Sequence, residues 1–94
     1  MFSMPIDDVF YIKGRGVVAT GTIAEGSLRV GDQVWIGDRA AVVDGIESFR
    51  KRRDEASVGD TIGVLFRSLT KAEVDPGAVL TGERGEDRGA TFRL

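Results

Sequence analysis

Few residues in this 94-residue chain can do chemistry, and their spacing works against catalysis. Two carboxylate pairs are present, Asp7-Asp8 and Asp54-Glu55. Neighbours on an extended strand point to opposite faces, so neither pair forms a general acid/base couple, and both read as exposed polar caps. The chain has no histidine and no cysteine. That removes the commonest general base, the thiol nucleophile and the commonest transition-metal ligands, and it leaves every serine without a histidine to activate it. Gly14-Arg15-Gly16 is a GxG, but no helical pattern follows, so it reads as a turn and not as a dinucleotide site. No GxxxxGK[ST] occurs. Asp60-Thr61-Ile62-Gly63 spells DxxG inside a strand pattern with no phosphate loop upstream, and reads as coincidence. The sequence therefore predicts no enzyme, no metal site and no cofactor, and no GTP hydrolysis by this chain alone.

Binding is the chemistry that remains. Arg50-Lys51-Arg52-Arg53 is a run of four cations followed at once by Asp54-Glu55. Such a run meets phosphates when it sits on a loop, and is equally a solvated hairpin end. The net charge of −2 supplies no global field for nucleic acid. Period-two arithmetic adds a second hint. If Ile62, Val64 and Phe66 face a core, Leu65 and Arg67 face outward, and Glu47 shares a face with Phe49. An outward apolar shelf beside arginine is how single-stranded RNA ends are held, although scattered surface apolar residues are ordinary.

The elements that would carry these residues are strands. Thirteen glycines are spread among valine, isoleucine and threonine, a pattern of short strands and turns. Strands are expected near 6–13, 17–24, 33–36, 40–49 (with Gly45 as a bulge), 60–67 and 78–81, with turns at Gly14-Arg15-Gly16, Glu25-Gly26, Gly31-Asp32 and Gly37-Asp38. Val17, Ala19, Gly21 and Ile23 form the apolar face of the second. Thr70-Lys71-Ala72-Glu73 has capping-box spacing and predicts a single helical turn. The length sets one domain. Glycine-separated short strands in so small a chain predict an all-β fold, a small closed barrel that hides its sheet edges. Residues 1–83 are assigned to that domain and 84–94 to a mobile tail. No apolar run approaches the roughly 18 residues of a membrane span. The N-terminus lacks a signal peptide's pattern, so a cytoplasmic address is expected, with no membrane partner.

Several of these fragments, in order, resemble domain 2 of elongation factor Tu and related translational GTPases. They are Met4-Pro5-Ile6-Asp7-Asp8-Val9-Phe10, Gly14-Arg15-Gly16-Val17-Val18-Ala19-Thr20-Gly21, Glu25-Gly26 with Val30-Gly31-Asp32, Gly45-Ile46-Glu47-Ser48-Phe49-Arg50-Lys51, Gly59-Asp60 through Gly63-Val64-Leu65-Phe66-Arg67, and Pro76-Gly77-Ala78-Val79-Leu80. The resemblance covers roughly residues 2–82 and implies a closed, mostly antiparallel β-barrel. It also implies a role: weak binding of the 3′-terminal aminoacyl-adenosine of tRNA, beside a GTPase domain that this chain lacks. By the same resemblance Ile12 and Glu47 bracket the adenine, and Glu47 and the backbone near Arg50 meet the 2′-hydroxyl. Phe49 packs behind the slot, Arg50 approaches the acceptor backbone, and Gly14, Val18 and Leu65 complete the wall. Asp7, Asp8 and Phe10 lie near the aminoacyl end. RNA is expected, not DNA, because the 2′-hydroxyl is part of what is read. The segment from Val34 to Glu47 is shorter than in the typical factor, and Ser48 replaces a bulkier residue. The other reading is a protein-interaction barrel with no tRNA role, either free-standing or one domain of a longer chain.

Overall fold

The computed structural model describes residues 1–49 and 51–84. Their architecture is all-β. The strands are β1 (Phe2–Pro5), β2 (Asp8–Ile12), β3 (Gly16–Thr22), β4 (Ser27–Arg29), β5 (Gln33–Ile36), β6 (Arg39–Val42), β7 (Gly45–Ser48), β8 (Lys51–Arg53), β9 (Glu55–Ser57), β10 (Thr61–Phe66) and β11 (Val79–Gly82). They pair antiparallel in a four-stranded sheet ordered β1-β11-β5-β6, a five-stranded sheet ordered β2-β3-β10-β7-β8, and a two-stranded ribbon β4-β9. One 3₁₀ turn, Lys71–Glu73, lies where the capping-box spacing predicts it, and the Thr70 N–H donates to the Glu73 carboxylate at 2.7 Å.

The inward faces meet in one core. It contains Phe2, Met4 and Ile6 from the first segment, Val17, Ala19 and Ile23 around β3, Ile62, Val64 and Phe66 from β10, and Val34, Val43, Ile46 and Leu80 from the surrounding strands. The alternation expected of β3 and β10 is therefore observed. Two glycines explain how closely the chain packs. Gly21 is crossed by the end of β1, and a Cβ there would stand 2.2 Å from the Pro5 carbonyl oxygen. Gly16 has φ +134°, and a Cβ would stand 2.6 Å from the Phe66 carbonyl oxygen. Only glycine suits either backbone approach.

One predicted strand, 40–49, is divided in the structure, and another, 6–13, is trimmed at its start. The trimmed residues are Ile6-Asp7, where the Ile6 N–H bonds to Ala78 (2.8 Å) and the Asp7 N–H to Thr20 (2.7 Å), so the chain passes from one large sheet to the other. The 40–49 segment breaks at Val43-Asp44 in the same way, with Val43 bonded to Asp32 (2.9 Å) and Asp44 to Leu65 (2.9 Å). At each passage the buried set shifts phase by one residue, from Met4 and Ile6 to Val9, and from Ala41 and Val43 to Ile46. β1, β4, β8 and β9 are strands that the pattern did not predict. β8 is cationic because it is a sheet edge, where charge guards an otherwise open row of backbone groups.

The first and last described strands run side by side. Phe2 pairs with Gly82, and Gly26 packs against the backbone oxygens of both Met1 and Arg84. Arg84, assigned to the tail by its sequence, is held to Asp32 by two hydrogen bonds of 2.8 Å each. The rest of the predicted tail, 85–94, lies outside the described residues. The Arg84 hydrogen bond holds the Asp32 carboxyl below its ordinary range. A depressed folded-state pKa adds stability above the unfolded value of about 3.9, and that stability is lost as pH falls through the folded value. Asp32→Asn is expected to cost up to about 1 kcal/mol at pH 7, given partial solvent screening. In urea titrations the difference from the wild type should stay constant down to about pH 5 and shrink below about pH 4.

Candidate RNA-end interface

The outward face of the five-stranded sheet carries most of the predicted site. Antiparallel register lines up two rows across it. One runs Phe10–Val18–Leu65–Gly45, through β2, β3, β10 and β7. The next runs Asp8–Thr20–Gly63–Glu47–Arg52 and extends onto β8. Ile12, opposite Gly16, begins a third. Glycine occupies the Gly45 and Gly63 positions, so the face is low around Leu65. A Cβ on Gly63 would press against the Val18 side chain at 3.0 Å.

A hollow of about 200 Å³ opens beside β7, β8 and β10. Leu65 and Gly45 contribute to its apolar lining, and Arg15, Asp44, Glu47, Arg52, Arg53, Asp54 and Arg67 are its charged lining residues. Leu65 points outward, as alternation requires, but is only 4% exposed and stands apart from the core. Arg15, in the β2–β3 turn that Gly14 (φ +82°) and Gly16 shape, lines the same hollow. Its guanidinium forms a close ion pair with Glu47. β10 lies between β3 and β7, so this pair spans the strand that bears Leu65. The resemblance gave Arg15 no role. The turn's glycines are legible in sequence, but the reach of its central side chain across two strands is not.

The structure brings Glu47 and Leu65 to one hollow. It does not bring Ile12, Gly14 or Val18 into its lining, nor Asp7, Asp8 or Phe10. Phe10 and Ile12 are 51% and 38% exposed on edge strand β2, three strand spacings from Glu47, or about 14 Å along the sheet. Val18 is half-buried beside Leu65. Gly14, Asp7 and Asp8 are exposed. Phe49 corrects an expectation. It does not pack behind the slot but stands 91% exposed beyond the end of β7, with a left-handed φ of +51° that bulky residues rarely adopt. The role expected of Arg50 lies outside the described residues. Arg53 is committed to Asp60 at 3.3 Å. Among the described residues no cluster of His, Cys, Asp or Glu could hold a metal ion, and no helix is long and apolar enough to cross a membrane.

The described residues thus form an antiparallel β domain with a hollow lined by arginines and a glutamate. Residues 16–81 match the family model described as elongation factor Tu domain 2, and the chain belongs to that family. It is thus a translation-factor domain 2, a module that is not itself catalytic. It is similar over 87% of its length to the translation elongation factor SelB of Methanococcus maripaludis in its apo form, at 36% identity and a TM-score of 0.79. It spans 18% of that chain.

Arg15→Ala is expected to leave the fold intact. Both partners of the ion pair are over a third exposed, so the loss in urea unfolding should stay within about 1 kcal/mol.

Proposed function

We propose that this domain binds the 3′-aminoacyl-adenosine end of tRNA, weakly by itself, as the domain 2 of a cytoplasmic translation factor whose GTPase domain carries any GTP hydrolysis. The observation that carries this reading is the placement of Glu47 on the outward sheet face beside Leu65, at the rim of the hollow. A base stacks on the apolar floor and the carboxylate accepts a hydrogen bond from the ribose 2′-hydroxyl, which DNA lacks. Stacking one base contributes about 1–3 kcal/mol, which is millimolar-scale affinity or weaker. The adjoining domains of a full factor supply the remainder. Ile12, Gly14 and Val18 extend the slot for the terminal adenosine along this sheet, and Asp7, Asp8 and Phe10 meet the aminoacyl end and the neighbouring domain. Backbone bonds that tie the two large sheets at Ile6, Asp7, Val43 and Asp44 support a closed-barrel description.

A second reading has its own observation. The Arg15–Glu47 pair spans β10, the strand that bears Leu65, so a base must seat beside that pair. If it never does, the slot is idle and the domain serves protein contacts alone. NMR titration with an RNA trinucleotide ending in CCA, against its DNA counterpart, separates the two. The expected result is shifts at Glu47 and Leu65 with RNA, severalfold weaker with DNA, and lost in a folded Glu47→Ala variant. No shift at millimolar ligand would leave the interaction-module reading standing. Unfolding by Glu47→Ala would show that the side chain is structural.

A further inference from the structure

Among the described residues, no carboxylate pairs with the side chains of two arginines that line the hollow. Four arginines line it (Arg15, Arg52, Arg53 and Arg67) against three acidic residues (Asp44, Glu47 and Asp54). Arg15 is taken by Glu47, and Arg53 by Asp60. Arg52 and Arg67 make no side-chain ion pair among the described residues. The Arg67 backbone is fixed instead, its N–H donating to the Asp44 carboxylate at 2.8 Å.

Register separates the two. Arg52 on β8 is the direct cross-strand partner of Glu47 on β7. Their side chains therefore leave the same face with Cβ atoms about 5 Å apart. Arg67 lies two residues beyond Leu65, about 7 Å further along β10 and away from Glu47. A nucleotide with its base over Leu65 and its ribose at Glu47 carries its 5′-phosphate off the ribose, at the Arg52 end of the hollow. Phosphate is the group that a planar, permanently charged guanidinium binds best. An arginine opposite Glu47 would ordinarily be neutralised by that carboxylate, but here Arg15 occupies it.

We infer that Arg52 is a phosphate-binding residue for the terminal nucleotide, so that the hollow takes a 5′-phosphorylated nucleoside in preference to the bare nucleoside. This rests on the adenosine-end reading above and adds to it the phosphate, the residue and the direction of the strand. Arg67, at the far end, is the internal control.

The test is NMR titration of the wild-type chain and of Arg52→Gln and Arg67→Gln with adenosine and with 5′-AMP at low salt. Both substitutions are exposed and leave the core untouched. The wild type should bind 5′-AMP about three- to tenfold more tightly than adenosine, and the gap should narrow as salt is raised. Arg52→Gln should erase the gap and leave adenosine binding unchanged, and Arg67→Gln should preserve it. A gap that survives Arg52→Gln, or that closes with Arg67→Gln instead, overturns the assignment. Equal wild-type affinity for the two ligands overturns it while leaving the base slot in place. Shifts at Arg52 with 5′-AMP, and none at Leu65 with either ligand, support the phosphate contact and remove the base slot. No shift with either ligand removes both.

Discussion

Everything on the outer face follows from one constraint, the register of β10 between its two neighbours. β10 pairs with β3 over its whole length and with β7 at Gly63, Val64 and Leu65. Its side chains alternate, so the pairing that buries Ile62, Val64 and Phe66 also presents Gly63 and Leu65 on the opposite face. A slip of one residue would exchange those sets and put a leucine and an arginine into the core. The hollow is therefore the reverse side of the core, and what fixes one fixes the other.

Charge is arranged on this face with the same economy. A glycine-shaped turn lifts Arg15 over β10 to Glu47, which holds the carboxylate at a defined place above an apolar floor. Exposed pairs of this kind contribute little to stability. Their effect here is on position, since Glu47 is occupied and Arg52 beside it is not. The cations beyond β7 thus divide into distinct situations: Arg53 is tied to Asp60, Arg52 faces the hollow, and Lys51 is exposed next to Ser48 in register.

Much of this is legible in the residues themselves. The apolar alternation of Val17–Ile23 and Ile62–Phe66 identifies the two central strands and their inward faces, and the ordered glycine motifs carry the family. Alternation fails where the chain changes sheets. The inward set shifts by one residue at Ile6-Asp7 and again at Val43-Asp44, so a period-two reading that runs straight through the second passage merges β6 and β7, and one that begins at the first misses β1. The cationic strand β8 escapes for another reason: an edge strand needs no apolar face, so Lys51–Arg53 looks like solvated loop. Within the site, the outward direction of Leu65 follows from alternation, but the ion pair that spans its strand does not, because that depends on a long side chain from a distant turn. Phe49 is placed behind the slot by the resemblance, and its left-handed backbone beyond β7, which leaves it exposed, is not legible in the sequence.

The pairing of the first and last described strands has a consequence for how such a domain can be reused. Phe2 and Gly82 face each other across one strand pair, a span of about 5 Å, and the backbone oxygens of Met1 and Arg84 flank the same glycine. A surface loop of another protein can accept the unit by parting its own ends no further than a hairpin does, so the host pays almost no closure entropy and the guest keeps its fold. Swapped between hosts in this way, the domain would carry its outer hollow along as a self-contained cassette.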